Sequence, residues 1–232
     1  MSTKLFEHEA INVEQFFDTL KLFRATDHPF IAGELSVVDN EGTLWHTYKI
    51  EIHYTENYPR VFPVVYEIGG AIMRIPDWHI NNDGSCCLDN EFSQQIKCYK
   101  GLSLVDFIQT ELLPWLANQS YRRVTGNYIN GEQGHGDIGR IEFFIIELKA
   151  PNLLTCVKWM IKLLRKETLP RQSDCFCGSG KKWRHCHKPI FERLQIISTN
   201  ALEWAIERFI SYLKGGWIIL SEIQKHTQVP IF

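Results

Sequence analysis

Pro76-Asp77-Trp78-His79-Ile80-Asn81-Asn82-Asp83-Gly84-Ser85-Cys86-Cys87-Leu88-Asp89 is the most informative stretch of this chain. It sets a histidine, an asparagine, a glycine turn and two cysteines within reach of one another. A cysteine is nucleophilic as thiolate, and its sulfur leaves readily when an amine attacks a thioester. That attack puts negative charge on the carbonyl oxygen, and a fixed amide donor such as Asn81 stabilises it by about 2.7–4 kcal/mol. Gly84 lets the chain turn back between Asn81 and Cys87. Neighbours in an extended segment point to opposite faces, so one cysteine alone faces the reactive side; spacing does not decide which. His79 either polarises the site or locks the loop through a backbone carbonyl. The bland alternative is that a lone cysteine on an apolar edge is an inert small hydrophobe and the histidine a structural residue. A papain-like triad is disfavoured, because its members lie far apart in sequence and these are local. Metal binding by Cys86 and Cys87 with Cys98 or His79 ranks low, since adjacent cysteines chelate awkwardly.

Upstream, Phe6, Ala10, Val13, Phe17 and Leu20 recur at helical spacing and mark one face of an N-terminal helix. A β region follows. Phe30 to Val38 is one strand, and Asp39-Asn40-Glu41-Gly42 is a turn. Leu44, His46, Tyr48, Ile50, Ile52 and Tyr54 alternate as a half-buried strand. Tyr58-Pro59-Arg60-Val61-Phe62-Pro63 breaks it, Val64 to Ile68 is the third strand, and Ala71 to Ile75 is a short fourth. Downstream, Ser103 with Asp106 forms a capping box for a helix striped by Leu104, Phe107, Ile108, Leu112, Trp115 and Leu116, which Pro114 should kink or split. Five glycines between Gly126 and Gly139 mark a loop, read as a long surface connection in preference to a flap over the cysteine. From Ile141 the pattern is helical. Pro151 splits it, Asn152 caps a second helix, and a last helix carries Leu202, Ile206, Phe209 and Leu213 up to Gly215-Gly216.

At 232 residues and 44% hydrophobic content the chain suits a globular protein with a sizeable core. Its 25 Lys and Arg against 27 Asp and Glu argue against a broad nucleic-acid surface. The basic runs Lys158–Arg171 and Lys181–Lys188 read as solvated faces. No segment reads as a signal peptide or a membrane span, and seven cysteines without an export signal read as reduced thiols in a cytoplasm.

Helix, meander, Tyr-Pro-rich turn, His-x-Asn, then Gly-x-x-Cys-Leu-Asp and a helix: this order resembles the ubiquitin-conjugating enzyme family. Tyr58 to Pro63 is similar to its Tyr-Pro-x-x-Pro-Pro turn, His79-Ile80-Asn81 to its His-Pro-Asn motif, and Gly84 to Asp89 to its Gly-x-Ile-Cys-Leu-Asp. The resemblance implies that Cys87 is the catalytic thiol, with Cys86 in the apolar position before it, Asn81 as oxyanion support and His79 as loop architecture. Ile80 and Phe62 depart from the family's prolines, which looks like a divergent bacterial branch that accompanies antiviral operons encoding cyclic-oligonucleotide synthases. Membership there implies an acyl carrier and transferase. Cys87 would accept the synthase's C-terminal glycine as a thioester and pass it to an amine. Some systems of that branch have a separate or fused activating enzyme and some have none. No nucleotide-binding glycine motif occurs in the chain, so any ATP-dependent activation would come from elsewhere, with a separate activating enzyme as one candidate partner. Two rival classes are a non-catalytic adaptor and a thiol hydrolase of such conjugates, for which His135 is the one candidate base.

Cys175-Phe176-Cys177-Gly178-Ser179-Gly180-Lys181-Lys182-Trp183-Arg184-His185-Cys186-His187 has metal-ligand spacing and resembles the SEC-C zinc motif. The resemblance implies Cys175, Cys177, Cys186 and His187 as ligands of a structural zinc; His185 is the competing ligand, read instead as lying beside the ligands or on the surface. Lys181, Lys182, Trp183 and Arg184 are then candidates to contact a partner. The expected architecture is α+β: a ubiquitin-conjugating fold over residues 1–149, with N-terminal helix, four-stranded antiparallel meander and C-terminal helices. A helical extension over 150–232 would carry the zinc motif at about 172–190.

Overall fold

The computed structural model describes residues 2–24, 28–129 and 134–215. The tail from 217 to 232, whose role the sequence leaves open, lies outside them. The chain divides into two compact units, residues 1–132 and 133–232. The boundary falls earlier than the one expected at 149/150, because the helix Gly136–Leu148 packs on the helices that follow it.

The first unit is α+β. Helix α1 (Ser2–Phe16) buries Phe6, Ala10 and Val13. Strands β1 (Leu20–Phe23), β2 (Phe30–Val38), β3 (Leu44–His53) and β4 (Val64–Glu67) form one antiparallel sheet in the order β1-β2-β3-β4. Inward Tyr48, Ile50 and Ile52 of β3 are fully buried and lie opposite Leu35, Gly33 and Ile31 of β2, the alternation that a half-buried strand requires. The meander thus has four strands, but not the four expected. Leu20, read as the last residue of the helical stripe, opens β1 instead; a turn closed by the Leu20 amide and the Phe17 carbonyl (3.0 Å) ends the helical region. Gly33 is required here, at φ +155°, because a Cβ would sit 2.1 Å from the Thr19 carbonyl oxygen. Ala71 to Ile75 is not a strand. The buried Glu67 carboxylate accepts from the amides of Gly69, Ala71 and Ile72 (2.8, 3.0 and 3.4 Å), which curls the chain and takes donors a ladder would need.

Helix α2 (Glu91–Lys97), capped by Asn90, follows the cysteine stretch and was not expected. Ser103 then caps α3 (Leu104–Phe107): its Oγ accepts from the Asp106 amide and donates to the Asp106 carboxylate. A π-helical turn, Ile108–Leu112, joins α3 to α4 (Leu113–Thr125), and this wide turn ends two residues before Pro114. Helix α4 packs across β2 and β3, where Ser120 Oγ meets Tyr48 OH at 2.9 Å.

The second unit is helical: α5 (Gly136–Leu148), α6 (Leu153–Leu164), α7 (His187–Leu194) and α8 (Thr199–Lys214). Asn152 caps α6 by accepting from the Thr155 amide at 2.8 Å. Phe144, Leu148, Met160, Leu163, Phe191, Leu194 and Phe209 are buried in it. Among the described residues no helix is long and apolar enough to cross a membrane.

Candidate functional site

The stretch 79–87 is a short hairpin laid against the edge of the sheet. The Cys87 amide donates to the His79 carbonyl (2.7 Å), Ile80 bridges Cys86, and the Asn81 amide donates to the Ser85 carbonyl (2.8 Å). Gly84, at φ +85°, makes the turn, and Asp83 Oδ1 ties it by accepting from Ser85 N and Ser85 Oγ at 3.0 and 2.7 Å. The Cys86 amide donates to the Val65 carbonyl, which docks the hairpin on β4.

Pairing gives each rung one face. Ile80 and Cys86, 3% and 8% exposed, belong to the hydrophobic core, and burial pushes the Cys86 thiol up to about 12. His79 and Cys87, both half-buried, form the next rung, and the exposed Asn81 follows. The Asn81 side-chain amide donates to Ser85 Oγ at 3.0 Å; an amide nitrogen carries two hydrogens, so the other is not used by this bond. His79 caps the short 3₁₀ turn Pro76–Trp78 in the left-handed region (φ 53°) and packs on the Tyr128 ring at 5.1 Å. A groove of ≈ 500 Å³ lined by Glu51, His53, Tyr66, Arg74, Asp83 and Gly84 reaches the hairpin tip.

Helix α4 reaches the same hairpin from the other side. Trp115 Nε1 donates to the Cys87 carbonyl at 3.1 Å, Gln119 Nε2 to the Trp78 carbonyl at 3.2 Å, and Arg122 to the Asp77 carbonyl. Tyr128 OH donates to the same Asp77 carbonyl at 3.2 Å, and the Arg122 guanidinium lies 4.6 Å over Trp78 and 4.5 Å over Tyr128.

In the second unit, Cys175 Sγ, Cys177 Sγ, Cys186 Sγ and a His187 ring nitrogen lie within 4.8 Å of one another and can hold a metal ion. His187 Nδ1 is 3.3 Å from both Cys175 Sγ and Cys186 Sγ, and Cys177 Sγ is 3.6 Å from Cys186 Sγ. A tetrahedron built on Zn–S of about 2.3 Å and Zn–N of about 2.0 Å has edges of roughly 3.5–3.8 Å, close to these separations. His187 Nε2 lies 2.8 Å from the Leu148 carbonyl oxygen. A carbonyl only accepts, so Nε2 holds the proton and Nδ1 offers its lone pair to the cluster. Burial also lowers the pKa of His187, which favours the neutral, ligating ring. Positive φ at Gly178 and Gly180 (77° and 71°) forms the knuckle between the ligand pairs. His185 is exposed and accepts from Arg184 Nε instead. None of the seven cysteines is in a disulfide.

Family models, curated proteins and solved structures yield no match to this chain.

The fold brings His79, Asn81 and Cys87 onto one hairpin and the four sulfur and imidazole groups into one cluster. His135 precedes α5 in the second unit, and residues 130–133 of the glycine-rich loop lie outside the described residues. Sequence reasoning missed Gln119, Arg122 and Tyr128. A signal existed: Gln119 and Arg122 sit four and seven residues after Trp115, on the face read as purely apolar.

Proposed function

We propose that the first unit is a cysteine acyl carrier and transferase of the ubiquitin-conjugating type. Its thiol is Cys87, and the second unit is stapled by a structural zinc. The observation that carries the reading is the alternation of the hairpin. Cys86 is spent in the core with Ile80, while Cys87 pairs with His79 on the other face, next to Asn81.

The Cys87 thiolate attacks the activated C-terminal carbonyl of a glycine on a partner protein, and the activating group leaves with its electron pair. A C–S bond results, and the thiol proton passes to solvent. An acceptor amine then attacks the thioester carbonyl; the C–N bond forms, the C–S bond breaks, and the thiolate is regenerated as the amine loses a proton. The side-chain N–H of Asn81 not bonded to Ser85 is available to the oxyanion, a contribution of about 2.7–4 kcal/mol. His79 holds the hairpin through its carbonyl. The partner proposed is a cyclic-oligonucleotide synthase offering its own C-terminus, in antiviral defence in a cytoplasm, with a separate enzyme performing the ATP-dependent activation. In the second unit the residues present fit zinc: three thiolates and one imidazole complete a tetrahedron, which leaves no open position for a water and makes the ion structural.

Trapping tests it. Purified protein mixed with activated donor should give a thiol-labile adduct that Cys87→Ala abolishes, that Cys87→Ser converts to a thiol-stable ester, and that Cys86→Ala retains. Equal adducts from wild type and Cys87→Ala would end the acyl-carrier reading and favour a non-catalytic adaptor. Release of a free donor C-terminus without any amine would favour a hydrolase.

A further inference from the structure

We infer that Gln119 and Arg122, with Trp115 and Tyr128, are positioning residues for the cysteine hairpin: they fix the carbonyls that flank it and so hold Cys87 in register with His79 and Asn81. The consequence for catalysis rests on Cys87 being the acyl carrier; the positioning itself does not.

The hairpin needs outside support. It has three rungs, 79/87, 80/86 and 81/85, and a two-stranded hairpin alone is marginal in water. Its link to β4 passes through Cys86 and Ser85, near the turn. At the open end, where His79 and Cys87 sit, the donors come from one face of α4. Trp115, Gln119 and Arg122 are spaced i, i+4 and i+7, which stacks them along a single helical ridge. Their targets are carbonyls on both arms: Cys87 on one, Trp78 and Asp77 on the other. A slip of the 85–87 arm by one residue would move Cys87 into the core and Cys86 out of it, and a slip of the 79–81 arm would exchange His79 and Ile80 in the same way.

Gln119 distinguishes positioning from mere stabilisation. It is fully buried, and among the described residues its Oε1 has no donor. A buried amide that leaves an acceptor unmatched is a poor device for stability, and a leucine of similar volume would fill the space without it. What Gln119 supplies is the fixed Trp78 carbonyl, next to the backbone that carries His79. Arg122 acts alongside: its guanidinium plane fills the gap between the Trp78 and Tyr128 rings while its N–H holds the Asp77 carbonyl. The planar fork suits this double task better than an ammonium.

The test uses the full chain with Gln119→Leu, Arg122→Met and Arg122→Lys. Three quantities are read: amide exchange at Cys87 and Asn81, melting of the first unit, and the rate of Cys87 acylation by activated donor. In Gln119→Leu the melting temperature should stay level or rise, while exchange at the two hairpin amides quickens about fivefold, the factor that one neutral hydrogen bond is worth, and acylation slows. Arg122→Met should loosen the same amides, and Arg122→Lys should restore part of their protection. Unchanged hairpin exchange in both Gln119→Leu and Arg122→Met overturns the inference. So does a rise in exchange spread evenly over β2 and β3 with a lower melting temperature, which is simple destabilisation. A loosened hairpin in a protein whose wild type never acylates leaves the clamp standing and removes the acyl-carrier reading. A loosened hairpin with undiminished acylation removes the positioning role and leaves that reading intact.

Discussion

His187 Nε2 donates to the carbonyl of Leu148, so Nδ1 faces the sulfurs of Cys175 and Cys186, each at 3.3 Å. One hydrogen bond sets the tautomer and ties the end of α5 to the ligand cluster. It also joins two parts of the chain that are 39 residues apart.

Metal removal should therefore act on the whole second unit. Structural zinc sites hold their ion with an apparent free energy of about 10–16 kcal/mol, and that free energy is folding free energy. One zinc per chain is expected by elemental analysis. Chelation should abolish the melting transition of the helical unit and leave that of the first unit in place. His187→Ala should weaken binding strongly, and His185→Ala should not. Unchanged melting after the ion is stripped would remove the staple.

The two adjacent cysteines should differ sharply in reactivity. With its thiol pushed up to about 12 by burial, Cys86 is thiolate in on the order of one molecule in ten thousand at pH 8. Burial likewise pushes Cys98 up to about 11 and Cys156 higher still. Brief alkylation of the folded protein, read by peptide mass mapping, should modify Cys87 and spare these three. Comparable labelling of Cys86 and Cys87 would refute the assignment of faces to the hairpin.

Much of this was legible in the sequence, for identifiable reasons. Alternation in β3 and the helical stripe Phe6, Ala10, Val13 survive because burial follows period directly. The caps at Ser103 and Asn152 survive because they are local chemistry. Leu20 was misread because a spacing of three after Phe17 suits a helix and a turn into a strand equally well. Ala71 to Ile75 was misread because its amides are captured by a carboxylate that the linear pattern does not reveal, Glu67. The metal cluster needed only ligand spacing. The support for the cysteine hairpin was hidden, since Trp115 and Cys87 are 28 residues apart and meet only through the fold.

Glu67 should matter out of proportion to its place at the end of an edge strand. The residue is 4% exposed, and its carboxylate accepts three backbone N–H groups. Glu67→Gln replaces an acceptor by a donor that must face one of them, and a buried mismatch of this kind costs about 1–3 kcal/mol. Gly69→Ala should be harmful for a related reason, since the added Cβ would stand 2.8 Å from Glu67 Oε1 and 3.3 Å from Lys49 Cβ. Urea unfolding of the first unit measures both. A Glu67→Gln variant as stable as wild type would show that the loop does not depend on the carboxylate.

Asp83 makes the hairpin turn sensitive to acid. Hydrogen bonds from the Ser85 hydroxyl, and then from the Ser85 amide, hold its carboxyl below the usual aspartate value. The sign follows from linkage: a depressed folded pKa means the ionised form is favoured by folding, so the tie is fully present above about pH 4 and is lost as pH falls through the lower folded value. The Ser85 amide resonance should titrate with a midpoint below about 3.9, and Asp83→Asn should abolish that titration while leaving β2 and β3 unchanged. The same substitution should disturb Asn81, whose side chain rests on Ser85 Oγ at 3.0 Å, and so slow acyl transfer more than it lowers stability. A midpoint at or above the ordinary value would show that the Ser85 bonds do not hold the carboxylate in solution, and the turn would then owe its shape to Gly84 alone.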